Sequence, residues 1–350
     1  MPWDGRLKNK LFAAGLLNGR SAMLSGRDFP ESNFVTHYKN QFKRVKCTMR
    51  VLIYRHHAAL VPLLLLLLLS CTPRQEAPPP EPGAFVDALG RHYAPSEKPR
   101  RIVSLSPAVT EILFAIGAGA LVVGVTEHCN YPAEARERTS VGGFAGITVS
   151  VEQIRVLNPD LVILSADMHA RIVLLLDNLG IPSFAVEPRN FSEVYGVIAL
   201  LGELSGFEAG AEKAIAGMKE RIAAVQERLT GRPQPNVLWV LSEEPLMSAG
   251  GETFISEAIS LAGGRNIFAD LREQWPLISP EQVLIRNPDW VLLGSDMGSG
   301  DLPLLRNPLW QNFPAVREGR LAFVDGDLLY RYGPRLADAV ALIAEIIHGD

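Results

Sequence analysis

The sequence VEQIRVLNPDLVILSADM occupies residues 151–168, and PEQVLIRNPDWVLLGSDM occupies residues 280–297. The two stretches align without a gap at a constant offset of 129 residues, and nine of the 18 aligned pairs are identical. In each, the Asn-Pro-Asp triplet ends a short helix, because proline lacks an amide donor and restricts the residue before it. A short apolar run typical of a buried parallel strand follows. Each stretch therefore predicts a helix, a turn and a strand, and the pair indicates an internal duplication.

The duplication predicts two similar lobes. Residues 102–105 (IVSL) and 237–241 (VLWVL) are short apolar runs that predict the first strand of each half. Helix-turn-strand units in series favour parallel sheets with right-handed crossovers. We therefore predict an α/β fold with two Rossmann-like lobes, each built on a small parallel sheet, and a ligand cleft between the lobes.

Residues 207–230 join the two halves and have the pattern of one long amphipathic helix. Apolar residues recur there at spacings of three and four, with charges on the other face. They are Ala211, Ile215, Met218, Ile222, Val225 and Leu229. About 20 helical residues rise about 30 Å, enough to run the height of a domain. We predict a spine at 206–232 between an N-terminal lobe at 101–205 and a C-terminal lobe at 233–350.

The segment before the lobes has the features of a lipoprotein signal peptide. Residues 49–70 carry two arginines and then an apolar run at 58–69, which is shorter than the roughly 20 residues of a membrane-spanning helix. The run ends in Leu-Leu-Ser-Cys, which resembles a bacterial lipobox, so Cys71 is the predicted lipidation site. Cleavage at another bond, with Cys71 free, is the alternative. Residues 1–48 are predicted to be a spurious or discarded extension.

The segment after Cys71 is predicted to be a tether. Residues 72–83 read TPRQEAPPPEPG, the composition of an extended linker, and residues 71–100 are expected to hold the lobes off the membrane. Once the leader is removed, Cys129 is the one unmodified cysteine, which excludes an intrachain disulfide. The lipid is then the expected contact with the membrane.

The charge of the folded part excludes nucleic acid as a partner. Residues 1–71 hold 11 Lys and Arg against 3 Asp and Glu, and the rest of the chain holds 23 against 35. The folded part therefore has a formal charge of -12. Such a surface repels phosphate backbones.

The motifs together resemble those of the substrate-binding proteins of ABC importers for cobalamin and ferric siderophores, the helix-spined class of periplasmic binding proteins. The likeness spans residues 101–347 and is carried by RIVSLSPAVTEILFAIGAG, VVGVTEHCNYP, the two EQ…NPD repeats and YGPR. The resemblance implies a lipid-anchored binding protein, expected to be a monomer, that faces the periplasm or the cell exterior and delivers a ligand to a permease. It implies little hinge motion, no cofactor and no catalytic residue.

The resemblance assigns a docking role to Glu152 and Glu281. In cobalamin-binding members one surface glutamate per lobe pairs with arginines on the permease, and the family positions fall on these two residues. Two equivalent carboxylates on similar lobes suit a two-fold-symmetric partner. The alternative is that both glutamates only stabilise the N-terminus of a helix.

The ligand site is expected in loops after the strands, where the lobes face each other. Aromatic side chains there offer flat apolar area with polar tips, which suits a corrin, a haem or an aromatic siderophore, although each could be plain packing. They are Tyr131, Phe144, Trp275, Tyr330 and Tyr332. Arg331 and Arg335 could bind a ligand carboxylate or phosphate, and Arg335 could instead be a structural anchor. By resemblance Asp327 falls on a ligand-contacting acidic position, and His128 is either an axial haem ligand or a hydrogen-bonding residue.

A corrinoid such as vitamin B12 is the expected ligand, with a ferric siderophore or haem as the alternatives. Some cobalamin binders carry Trp where Phe144 and Ser165 stand, so the stacking surface of the first lobe is reduced. The histidines after the leader are too widely spaced to predict a bare metal site. An exported enzyme is the rival class, but the sequence holds no Gly-x-Ser-x-Gly elbow, no phosphate-binding loop and no full GxGxxG. A lipoprotein adhesin would not explain two matched lobes.

Overall fold

The computed structural model describes residues 84–143, 148–294, 306 and 308–349, all within a compact unit that runs from Pro79 to Asp350. The predicted extension, the signal peptide, Cys71 and Phe144 lie outside the described residues. Within the described ranges, no helix combines the length and apolar character needed to cross a membrane.

A small antiparallel hairpin opens the described chain. Its strands are β1 (Phe85–Val86) and β2 (His92–Tyr93). The Tyr93 ring contacts Phe184 of the N-terminal lobe edge-on, with 6.1 Å between ring centroids. Residues 84–100, expected to belong to an extended tether, therefore fold onto the lobe, because the hairpin has aromatic surface to bury.

The N-terminal lobe is an α/β unit built on five parallel strands. The strands are β3 (Ile102–Ser104), β4 (Val122–Val125), β5 (Thr139–Ser140), β6 (Leu161–Ser165) and β7 (Ser183–Val186). Their spatial order is β5-β4-β3-β6-β7. The helices are α1 (Pro107–Ala115), α2 (Val151–Val156), α3 (Ala166–Asn178) and α4 (Phe191–Ser205), with 3-10 turns at Ala118–Leu121 and Ala133–Glu137. The predicted parallel sheet is confirmed.

The spine is one helix, α5 (Glu208–Arg228), of 21 residues. It lies within the predicted segment, and Met218, Ile222 and Val225 of its apolar stripe are buried. They share one hydrophobic core with residues of both lobes, such as Ile102 and Trp239. The lobes therefore pack against a common rod.

The C-terminal lobe repeats the architecture with four parallel strands. The strands are β8 (Asn236–Val240), β11 (Arg265–Asn266), β12 (Trp290–Gly294) and β13 (Leu321–Val324), and a separate hairpin pairs β9 (Ser242–Glu243) with β10 (Leu246–Met247). The spatial order is β11-β8-β12-β13. The helices are α6 (Phe254–Leu261), α7 (Pro280–Arg286), α8 (Pro308–Gln311), α9 (Pro314–Arg317), α10 (Gly326–Leu329) and α11 (Leu336–His348).

Both faces of each sheet are buried. On β6, Leu161 and Ile163 belong to the core shared with the spine, whereas Val162 and Leu164 belong to a core on the other face. Successive side chains of a strand point to opposite faces, so a fully apolar strand needs cover on both sides. This burial explains why the strands of the repeat read as continuous apolar runs.

The two copies of the repeat occupy equivalent positions. The strands β6 and β12 pair in parallel with the first strand of their own lobe, β3 and β8. The turn before each strand holds an asparagine with a left-handed backbone, Asn158 at φ 44° and Asn287 at φ 45°. The carboxylates of Asp160 and Asp289 then accept hydrogen bonds from the backbone amides of Arg101 and Asn236. The Asn-Pro-Asp triplet thus reverses the chain and holds the new strand against its neighbour.

Candidate functional site

The predicted ligand residues that the structure describes follow the carboxyl ends of the parallel strands. His128 and Tyr131 follow β4, and the loop region at 325–335, which contains the short helix α10, follows β13 of the other lobe. In open parallel sheets, this edge is where ligands bind. The two loops touch, because the Arg331 guanidinium donates a hydrogen bond to the His128 carbonyl at 3.3 Å.

A buried carboxylate connects the lobes at this point. Glu111 of α1 is only 3% exposed. It accepts one hydrogen bond from Arg331 at 2.8 Å and two from Arg335 at 2.8 and 2.6 Å. Charge-assisted, forked hydrogen bonds of this kind are the strong ones in proteins. Glu111 therefore joins the N-terminal lobe to the C-terminal lobe through two guanidinium groups.

Two further residues complete this group, which we call the seam cluster: Glu111, Asn130, Asp327, Arg331 and Arg335. The Arg331 guanidinium also contacts the Asn130 side-chain oxygen at 2.7 Å and the Asp327 carboxylate at 2.6 Å. The Asn130 amide in turn donates to Asp327 at 3.2 Å. The cluster satisfies its buried charges internally, as buried ions require.

The seam cluster changes the interpretation of the two arginines. The sequence analysis offers both to a ligand carboxylate or phosphate, whereas the structure pairs both with Glu111. The alternative role of Arg335 as a structural anchor agrees with this geometry, and Arg331, 7% exposed, shares it. A direct ligand contact of either arginine stays a prediction.

The predicted aromatic residues that the structure describes divide into two that are exposed and two that pack against the core. Tyr131 is 46% exposed, with the Arg335 guanidinium 4.1 Å from its ring centroid, and Trp275 is 38% exposed. Tyr332 is buried, and Tyr330 packs against the common core. The exposed pair comes from different lobes, so each lobe offers one accessible aromatic surface. Tyr332, and Tyr330 as a partly buried residue, thus have the packing role that the sequence analysis kept as its alternative.

The polar candidates His128 and Asp327 keep accessible side chains. The His128 side chain is 59% exposed, and its Nε2 lies 3.8 Å from a Glu127 carboxylate oxygen. Asp327 has a side chain that is partly exposed while it pairs with Arg331. Both therefore retain surface that a ligand could contact.

Glu187 is a candidate that the sequence analysis missed. Its carboxylate accepts a hydrogen bond from the Ser165 hydroxyl at 2.6 Å and one from the Asp167 amide at 3.2 Å. Burial raises the pKa of Glu187 above its usual range. Its charge also contributes to the raised pKa of Tyr332, after burial. Because Glu187 directly follows β7, the rule that selected the other strand-end loops would have found it.

The described residues contain no preformed group of side chains that could bind a metal ion. In the ranges that the structure describes, no cluster of three His, Cys, Asp or Glu side chains could hold an ion. His169 is buried, and its Nδ1 accepts a hydrogen bond from the Ser165 amide at 3.3 Å. Cys129 is buried and reduced, with the hydroxyls of Thr110 and Thr126 close to its sulfur.

The two predicted docking glutamates have matching environments. Glu152 and Glu281 are exposed in the first turn of α2 and α7. The serine before each helix caps it, and the Ser150 hydroxyl lies 3.2 Å from the Glu152 carboxylate. A hydrogen bond with Ser279 lowers the pKa of Glu281. Both carboxylates are thus held at a helix N-terminus, where negative charge is favoured, and both remain open to a partner.

Comparisons with known proteins agree on one family. The sequence pattern described as "Periplasmic binding protein" matches residues 102–328. The chain is 31% identical over 277 residues to the uncharacterized ABC transporter substrate-binding lipoprotein YvrC of Bacillus subtilis, covering 77% of this chain and 86% of the relative. It is 30% identical over 252 residues to a vitamin B12-binding protein of Vibrio parahaemolyticus, covering 71% of this chain and 90% of the relative. The solved heme-binding protein RhuT from Roseiflexus sp. RS-1 has a similar fold, with a TM-score of 0.64, 30% identity, and coverage of 71% of this chain and 98% of that protein.

Proposed function

Because the chain belongs to the periplasmic binding protein family, we propose that it captures a corrinoid such as vitamin B12 and delivers it to the permease of an ABC importer. The family match includes both lobes and the spine. The chain is therefore the substrate-binding component of an importer at the cell envelope, and it is not an enzyme. Its ligand belongs to the class of corrinoids, haem and siderophore-like chelates.

The similarity to vitamin B12-binding proteins carries the choice of a corrinoid. Tyr131 and Trp275 support it, because they offer accessible aromatic surface from opposite lobes. A corrin is a wide, mostly apolar ring with amide groups at its edge. Aromatic rings would cover its faces, while Asp327, Glu187 and His128 would bind its edge amides.

Haem is the second candidate. Its support is the accessible side chains of His128 and Tyr131, which lie three residues apart in the segment after β4 and are of the types that ligate haem iron. A haem-binding relative with a similar fold adds to this. In that case the axial ligand would come from the N-terminal lobe, and the propionates would need a cationic partner.

A titration of the detergent-solubilised full chain with cyanocobalamin and with hemin separates the two ligands. Corrinoid binding predicts a stoichiometric complex by calorimetry, with the ligand recovered unchanged. Haem binding predicts a shifted Soret band that His128→Ala or Tyr131→Phe abolishes. A chain that binds neither compound but retains a ferric siderophore would contradict the corrinoid proposal and leave the importer role intact.

The membrane attachment is proposed from the leader. Cys71 at the end of the apolar run would be acylated and would become the first residue of the mature protein. The name of the Bacillus subtilis relative as a lipoprotein supports this. Labelling the host with a radioactive fatty acid should mark the wild-type chain but not Cys71→Ser, and equal labelling would contradict the assignment.

The docking residues are proposed as Glu152 and Glu281. The two glutamates occupy equivalent positions in the two lobes, both are exposed, and a serine holds each carboxylate. These features support their pairing with basic residues of a two-fold-symmetric permease. The charge-removing pair Glu152→Gln and Glu281→Gln should weaken binding to the importer. It should leave ligand affinity unchanged, because neither residue belongs to the strand-end loops at the seam.

A further inference from the structure

Two apolar side chains of the described chain stand out by their exposure. Val156 and Ile285 are each 84% exposed, the highest value among the large hydrophobic residues that the structure describes. They also differ by 129 residues, so they are the same position of the two copies of the repeat. A single exposed apolar residue is ordinary on a protein surface. The same exposure at two duplicated positions is a property of the repeat.

These residues share a helix face with the proposed docking glutamates. Val156 follows Glu152 by four residues on α2, and Ile285 follows Glu281 by four residues on α7. Residues four apart are neighbours on one side of a helix. Each lobe therefore presents the same pair, a carboxylate with an exposed apolar side chain one turn away, and on α7 the neighbouring Leu284 is also exposed.

The packing of both helices fixes this orientation. Ile154 of α2 and Val283 of α7, again equivalent positions, are fully buried in the cores of their lobes. With these anchors inside, the faces that carry Val156 and Ile285 turn to solvent. The carboxylates are also held, because the serine caps contact both glutamates. The two pairs are therefore presented by rigid, similarly mounted helices.

We propose that Val156 and Ile285 are the apolar contacts of the permease-docking surface, each entering a small apolar pocket beside the basic residue that pairs with its glutamate. The inference rests on the proposed docking role of Glu152 and Glu281. A two-fold-symmetric permease offers every pocket twice, which matches a surface duplicated on one chain. Charge complementarity selects a basic partner, and burial of an aliphatic side chain beside each charged pair would add apolar contact area to the interface.

The test uses the full chain and the host's importer, permease with ATPase subunits, in lipid nanodiscs. Val156→Ser and Ile285→Ser should each weaken binding by about tenfold, because each loses the burial of one aliphatic side chain. The double variant should weaken it by about a hundredfold if the sites act independently. The control Leu174→Ser removes an apolar residue that is 64% exposed on α3 and should stay within about twofold.

Three results would refute the inference, and they separate it from the docking proposal. If Glu152→Gln with Glu281→Gln weakens binding while the serine variants do not, the glutamates dock and the apolar contacts are wrong. If neither set weakens binding, both proposals are wrong. If one serine variant acts and the other does not, the duplicated arrangement is wrong. Ligand affinity and melting temperature should match the wild type in every variant, since all these side chains are exposed.

Discussion

Removal of the Glu111 carboxylate tests whether the seam cluster holds the lobes together. In Glu111→Ala the guanidinium of Arg331, which is 7% exposed, loses its buried partner, and Arg335 loses both of its hydrogen bonds to a carboxylate. Breaking one partner of a buried ion pair costs about 3–5 kcal/mol, because a buried charge remains uncompensated. Asp327 still faces Arg331, so the lower half of this range is expected.

A matched control comes from an exposed ion pair. Arg221 of the spine pairs with Asp338 of α11, and about half of each side chain is exposed. Pairs of this kind contribute about 0–1 kcal/mol, so Asp338→Asn should change stability very little. If Glu111→Ala loses more stability than Asp338→Asn, the burial of the Glu111 ion pairs is the cause of the difference.

Urea denaturation of the full chain measures both variants. Far-UV circular dichroism reports on both lobes, and tryptophan fluorescence reports mainly on the C-terminal lobe, which holds four of the five tryptophans, including buried Trp239. Glu111→Ala should lower the free energy of unfolding by about 3 kcal/mol at unchanged slope, provided that the two probes coincide. A loss of unfolding free energy below about 1 kcal/mol, equal to that of Asp338→Asn, would refute the structural role of the cluster. It would then favour direct ligand contacts for the two arginines.

Three other predictions follow from the site and the spine. An added Cβ at Gly210 would lie 1.9 Å from the Ile116 carbonyl oxygen, so Gly210→Ala should destabilise the chain by about 1–3 kcal/mol in thermal denaturation, whereas Gly217→Ala on the same helix should stabilise it by about 0.5–1 kcal/mol. Tyr131→Ala and Trp275→Ala should each weaken ligand binding by about tenfold in calorimetry, and unchanged affinity would place the ligand elsewhere. Because burial raises the pKa of Glu187, its ionisation opposes folding, so Glu187→Gln should gain stability relative to the wild type as the pH rises above the usual glutamate range. A difference between these two chains that is equal at pH 4 and pH 7 would contradict that assignment.

The repeat and the spine could be predicted because their signals are local. The triplet at 158–160 and its copy at 287–289 ended a helix and began a strand, as the backbone confirms. The apolar stripe of the spine predicted a helix at 207–230, and the structure has it at Glu208–Arg228. The hairpin within residues 84–100 was missed, because strands of two residues leave no periodic pattern to detect.

The seam cluster could not be predicted, because its members are far apart in sequence. Glu111 lies in the apolar helix PAVTEILFA, where a single glutamate is typical of a solvent-facing position. Its burial depends on two arginines more than 200 residues away. No periodicity links these residues, so the sequence pattern assigned Arg331 to a ligand and left Arg335 as either a ligand contact or a structural anchor. Their pairing emerges only once both lobes pack on the same spine.

The seam cluster and the spine together fix the distance between the two docking helices, α2 and α7. The lobes share one core along α5 and are joined again by Glu111 and by Glu257, whose carboxylate accepts a hydrogen bond from the Phe191 amide at 2.7 Å. These links oppose a large hinge motion, so the distance between α2 and α7 is set by the fold. A partner that binds both helices at a different spacing must therefore break seam contacts. Since the proposed ligand lies at that seam, docking and ligand release would share the same interactions.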